Sequence, residues 1–140
     1  MVSIVEAYID SLCSDLFQQR AKSADQMFKN LISDAEEASE HNWEARKNAF
    51  SKFHSISLSQ CASWQTIASA IIVRNAIAHG LGSLTRRQKN KKDRGKVAGV
   101  FVNLQDDVLW VGDKSIDHLL THTLAFVTDI DEQVRTGLRP

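Results

Sequence analysis

Glycine and proline, the residues that most often interrupt regular backbone, are absent from residues 1–79. All six glycines follow His79, and the single proline is residue 140. The first half of the chain is therefore expected to be helical. Cysteine is scarce too. Cys13 and Cys61 stand beside apolar helical neighbours without metal-ligand spacing, which argues against a disulfide scaffold and reads as two reduced core thiols. No segment approaches the ~20 apolar residues of a membrane span. The opening Met1-Val2-Ser3-Ile4 has no basic region, and Glu6 and Asp10 interrupt any apolar run. No secretory leader and no membrane partner are expected, and a cytoplasmic location follows. Net charge is missing as well, since seventeen basic residues balance seventeen acidic ones. The chain as a whole is thus no obvious nucleic-acid binder, although a local patch remains open.

What is present is ordinary for one globular domain: 140 residues, 24% charged and 43% apolar. A single domain over residues 1–140 is expected, with one modest core. Charge is unevenly spread. The segment 86–96, Arg-Arg-Gln-Lys-Asn-Lys-Lys-Asp-Arg-Gly-Lys, holds seven of the basic residues and one acidic residue, so ten basic residues face sixteen acidic ones elsewhere. It lies within a basic loop, or frayed helical extension, expected over 82–96.

Val5, Tyr8, Ile9, Leu12 and Leu16 follow an amphipathic helical pattern, continued by Ala24, Met27, Phe28, Leu31, Ile32 and Ala35 as one helix or two. Ser23 with Gln26 has the form of a capping box. A further helix is expected from an Asn42 cap, with Trp43, Phe50 and Phe53 on one face and a break at Ser55–Ser59. The next runs from about Gln60 to His79, with Trp64, Ile67, Ala68 and Ile71 inward and Gly80 as its left-handed stop. Val100–Leu104 and Val108–Val111 flank Gln105-Asp106-Asp107 as a hairpin. Ser115 is expected to cap a last helix carrying Ile116, Leu119, Leu120, Leu124, Val127 and Val134. The fold class is mainly α, a helical bundle with a small β-hairpin before the C-terminal helix.

Arg74-Asn75-Ala76-Ile77-Ala78-His79 ends the long apolar helix and is followed at once by Gly80. Extending the inward stripe from Ile71 reaches 74 or 75 and then 78, which would put Arg74 and Asn75 at a wet cleft. Asn75 and His79 share a face at i, i+4. These three side chains suit RNA cleavage by the neighbouring 2′-hydroxyl. Histidine serves as acid or base near neutral pH. Arginine holds two phosphate oxygens through its planar fork. Asparagine orients the imidazole or the phosphate. No carboxylate cluster suits a metal, and no cofactor is called for. The reaction uses two acid/base groups while one motif supplies one histidine, so a homodimer is favoured.

The pattern Arg74-Asn75-x-x-x-His79 at the end of a late helix resembles the Arg-x(4–6)-His signature of HEPN-domain ribonucleases, including the polar residue after the arginine. The opening Val5-Glu6-Ala7-Tyr8-Ile9-Asp10-Ser11-Leu12 and the late hairpin with its closing helix resemble the RiboL-PSP-HEPN branch. The resemblance implies a helical bundle, a dimer with facing motifs and metal-independent endoribonuclease activity. It further implies a toxin–antitoxin, anti-phage or RNA-processing role, with an antitoxin or regulatory protein as partner. A catalytically silent RNA- or protein-binding module is the alternative.

Arg86, Arg87, Lys89, Lys91, Lys92, Arg94 and Lys96 are candidate RNA-phosphate contacts by charge and nearness to His79, against the plainer reading of a solvated connector. His118 and His122 share a helix face at i, i+4, but no third ligand is evident, so a surface or packing role is the better reading. Trp43, Trp64 and Phe50 read as core. His41 and His54 carry no signal.

Overall fold

The computed structural model describes residues 1–137. The end of the short polar tail at Pro140 lies outside them. Among the described residues the fold is mainly helical, with a two-strand antiparallel hairpin before the final helix. The elements are α1 (Val2–Ala21), α2 (Gln26–Ser39), α3 (Trp43–His54), a 3-10 turn at Leu58–Gln60, α4 (Trp64–Gly80), α5 (Lys91–Gly99), β1 (Asn103–Gln105), β2 (Val108–Trp110) and α6 (Asp113–Gly137). None of these helices is long and apolar enough to cross a membrane. Residues 1–2 and 62–129 form one compact unit, and residues 3–61 with the chain from 130 onward form another.

In the unit of residues 3–61 and 130 onward, α1 buries Val5, Ile9, Cys13, Leu16 and Phe17, one stripe at helical spacing. α3 adds Ala49 and Phe50, and the following segment adds Ile56 and Leu58. The helical first half has a real break at 22–25, so the early pattern is two helices. The cap of α2 is Asp25, whose carboxylate accepts from Phe28 N at 2.9 Å, and not Ser23. Asn42 caps α3 as its sequence suggests, accepting from Ala45 N at 2.9 Å. The break after α3 is also where expected, with Ser55 in the left-handed region at φ 58°. Arg46 grips Asp10 through Nε and Nη2, both at 2.7 Å, and Tyr8 donates to Asp131. Cys13 and Cys61 are both buried, and neither forms a disulfide among the described residues.

In the unit of residues 1–2 and 62–129, Ala70, Val73 and Ala76 of α4 pack with Leu84, Val97, Val100, Val102 and Leu119. The hairpin register pairs Asn103 with Trp110, Leu104 with Leu109 and Gln105 with Val108. It is shorter than the apolar runs suggest, because Val100 and Val102 instead follow the end of α5 into the core. Asp106 and Asp107 form the turn with φ of 49° and 69°, the twist that two-residue hairpins require. β2 also holds the chain leaving α4, through Leu109 N to Gly82 O and Leu84 N to Asp107 O, each at 2.8 Å. This third line of pairing supports a hairpin that would be marginal alone.

Two helix ends differ from expectation. Gly80 is the last residue of α4, and the left-handed positions are Leu81 (φ 51°) and Gly82 (φ 87°). α6 begins at Asp113, and Ser115 lies inside it, fully buried, donating from Oγ to Phe101 O at 2.6 Å. That carbonyl belongs to another left-handed residue, Phe101 at φ 59°, so the serine satisfies a bent backbone rather than a helix end. Along α6, Leu119, Phe126 and Ile130 are buried, whereas Ile116, Leu120 and Leu124 are about half or more exposed.

Candidate functional site

The inward stripe of α4 is Ile67, Ala70, Val73 and Ala76, not a line through Ile71 to positions 74, 75 and 78. The expected stripe is corrected, and the reason is plain: α4 is apolar on almost every side, so hydrophobic spacing cannot fix its phase. The consequence for the motif is that its polar residues lie away from the core. Arg74 and Asn75 are half-buried, and Ala78 and His79 are exposed. Arg74 Nη1 donates to Asn75 Oδ1 at 2.9 Å, so the arginine and asparagine are joined directly. Asn75 and His79 lie about 40° apart around the helix, one turn along it. The motif thus presents a hydrogen-bonded Arg–Asn pair and an accessible imidazole on the outer side of the last turns of α4.

The surroundings of that helix end are partly apolar. Ile77 is 52% exposed and Leu81 is 95% exposed, the latter in a left-handed conformation. A branched side chain held there costs about 1–2 kcal/mol. Leu81 makes no use of burial in this chain to offset it.

Segment 82–96 divides into a turn region and the first six residues of α5. It is fixed at Gln88, which is buried. Gln88 Oε1 accepts from Thr85 N at 3.0 Å and Thr85 Oγ1 at 2.8 Å, and its Nε2 donates to Ile72 O at 2.9 Å. Arg86, Arg87, Lys91 and Lys92 are exposed, and Lys96 is half-buried. Lys89 and Arg94 both pair with Asp107 in the hairpin turn, the lysine at 3.1 Å. The hydrogen bond from Lys89, helped by the charge of Arg94, pulls the Asp107 carboxyl below its usual range. Two of the seven cations are therefore engaged by the protein itself. Lys91 and Lys92 open α5, where the positive helix end adds to their field. Asn90 caps that end, accepting from Asp93 N at 2.9 Å.

His118 and His122 lie with ring centroids 4.3 Å apart, tilted 58° to each other. Phe101 meets His118 edge-on at 4.9 Å, and His122 Nδ1 lies 3.1 Å from Ser63 Oγ. Ser63 holds the N-cap position of α4 without a side-chain cap bond, so its hydroxyl serves the histidine instead. No group of three or more metal-ligating side chains occurs among the described residues. Phe50 is fully buried, whereas Trp43 and Trp64 are half-buried. Trp43 donates to Glu6 Oε1 at 2.9 Å, and Trp64 tilts against Phe126 at 6.0 Å.

Sequence reasoning missed His54. It is 8% exposed, with Phe17 edge-on at 4.5 Å and Phe50 at 6.0 Å, and its Nε2 is buried without a hydrogen-bond partner among the described residues. Burial, with a smaller contribution from Arg20, lowers its pKa from 6.5 to about 4. Its place at the end of α3 gives no periodic signal, because Phe17 comes from a distant helix.

No family model, no curated protein and no solved structure matches this chain.

Proposed function

We propose that the chain is a metal-independent endoribonuclease of the HEPN type, acting as a homodimer. The observation that carries this reading is the outward display of Arg74, bonded to Asn75, one turn before an exposed His79. In the proposed reaction the Arg74 guanidinium holds the scissile phosphate and offsets the charge gathering on it. Asn75 orients the guanidinium through its carbonyl oxygen, leaving its amide N–H groups for a phosphate oxygen. His79 takes the 2′-hydroxyl proton or supplies one to the departing 5′-oxygen. The second of these roles falls to His79 of a second copy. Exposed Ile77 and Leu81 beside the motif support a contact there. The basic residues Arg86, Arg87, Lys91 and Lys92 support RNA as substrate, since they follow the motif closely and are held near α4 by Gln88. A toxin, anti-phage or RNA-processing role in the cytoplasm, with an antitoxin or regulatory partner, fits such an enzyme.

The test is incubation of the purified protein with total RNA in EDTA, comparing wild type with His79→Ala. Cleavage by wild type alone supports the reading. RNA bound but left intact by both proteins favours the second reading, a catalytically silent HEPN-like module that binds RNA or a partner protein. The pairing of Arg74 with Asn75 is compatible with that reading because it already satisfies part of the guanidinium.

A further inference from the structure

A separate feature lies in the unit of residues 3–61 and 130 onward. A cleft of about 400 Å³ is walled by Phe17, Phe28, Leu31, Ile32 and Phe53, with Arg20 as the one charged residue among its described lining. Phe28 and Leu31 are 60% and 55% exposed, and α2 fully buries only Ser39. Apolar wall is thus left in water, at about 25 cal/mol for each Å². Arg20 is exposed and makes no hydrogen bond or ion pair with another described residue. It also lines an adjoining cleft of about 290 Å³, whose described wall mixes Gln19, His54 and Gln133 with Leu16, Ile56 and Val134. Among the described residues neither cleft has an acidic side chain in its wall. An apolar cleft and a mixed one therefore meet at a guanidinium that no described residue engages.

We propose that this pair of clefts binds a free fatty acid, its hydrocarbon tail among Phe17, Phe28, Leu31, Ile32 and Phe53 and its carboxylate on Arg20. The volume lies in the range of small-molecule sites, roughly 300–1,000 Å³. A planar guanidinium matches a carboxylate through two parallel hydrogen bonds. A guanidinium at the edge of an apolar cleft favours an occupant with both a hydrocarbon tail and an anionic head over a purely apolar one. The clefts lie among α1–α3 and the end of α6, so this site is independent of the proposed nuclease motif.

The experiment is calorimetric titration of the full chain with dodecanoate below its micelle concentration. Dodecanol serves as the uncharged tail and acetate as the tailless head. The site requires saturable one-to-one binding of dodecanoate, about tenfold weaker binding of dodecanol and none of acetate at millimolar concentration. Arg20→Gln should bring dodecanoate down to the dodecanol level, and Arg20→Lys should restore part of the difference. Leu31→Glu, at an exposed wall position, should abolish binding of both long-chain ligands while circular dichroism shows an unchanged fold. Non-saturating uptake, equal affinity of Arg20→Gln and wild type for dodecanoate, or no heat at all would overturn the proposal.

Discussion

The side-chain amide of Gln88 reaches back sixteen residues and donates to the carbonyl oxygen of Ile72 at 2.9 Å. The same side chain accepts twice from Thr85. One glutamine thus fastens the start of the basic segment to the helix that carries Arg74, Asn75 and His79. Gln88→Ala leaves buried partners unsatisfied and should lower stability by about 1–3 kcal/mol. Urea denaturation checks this, and faster amide exchange at Thr85 and Gln88 should accompany it.

Cleavage should persist in EDTA and leave a 2′,3′-cyclic phosphate, because the proposed groups are an imidazole, a guanidinium and an amide. End-group analysis by mass spectrometry reads the product. His79→Ala should slow cleavage by about 10²–10⁴-fold, the usual contribution of an acid–base group. Its stability should stay within about 0.5 kcal/mol of wild type, since the residue is exposed. Strict need for Mg²⁺, or 3′-hydroxyl products, would sink the mechanism.

If each reaction uses His79 from both copies, inactive chains poison active ones. Equimolar wild type and His79→Ala, allowed to exchange, should leave about a quarter of the dimers fully active rather than half of the original activity. A protein that is monomeric by light scattering at micromolar concentration, yet fully active, refutes the shared site.

Neutralising Arg86, Arg87, Lys91 and Lys92 together should weaken RNA binding and flatten its salt dependence, by about 0.7 in slope for each single-strand phosphate no longer neutralised. Cleavage positions should hardly change, because the segment offers no aromatic side chain to read a base. Neutralising Lys89 and Arg94 should matter less, since Asp107 already engages them. Filter binding across a salt series separates the two sets.

His54 gives the fold a calculable acid sensitivity. Its folded pKa of about 4 lies below the ordinary 6.5, so in this window the unfolded chain binds the extra proton. Stability should therefore be full above pH ~6.5 and fall as pH drops toward ~4, by up to about 3 kcal/mol from this group. His54→Phe should flatten that stretch of the profile. Thermal melts between pH 4 and 7.5 test it, and an unchanged slope in the variant would remove His54 as the cause.

Local signals in this chain were legible where one short stretch decides the outcome. Asn42 caps α3 because its own side chain bonds three residues on, and Asp106-Asp107 turns the hairpin by its own backbone. The Arg74–His79 spacing was equally readable, but the side of α4 that carries it was not, because the helix is apolar nearly all round. Distant partners account for the rest. Ser115 resembles a cap until Phe101 O is placed beside it, and His54 is silent until Phe17 closes over it. Leu81 occupies a conformation that glycine usually holds, which no composition rule anticipates.

α5 is a marginal helix, and this shapes how the basic segment behaves in time. It is nine residues long, carries Gly95 in its middle with open space where a Cβ would sit, and begins with two lysines at its positive end. Each of these lowers helix stability. Asn90 caps its start, Arg94 pairs with Asp107, and Val97 and Val100 hold its far end, both buried. The first turn should therefore open at lower free-energy cost than the end held by the two buried valines. In the proposed complex with RNA, the lysines would then form a tethered, reshaping cloud of charge, able to follow phosphates whose spacing differs from one strand to the next.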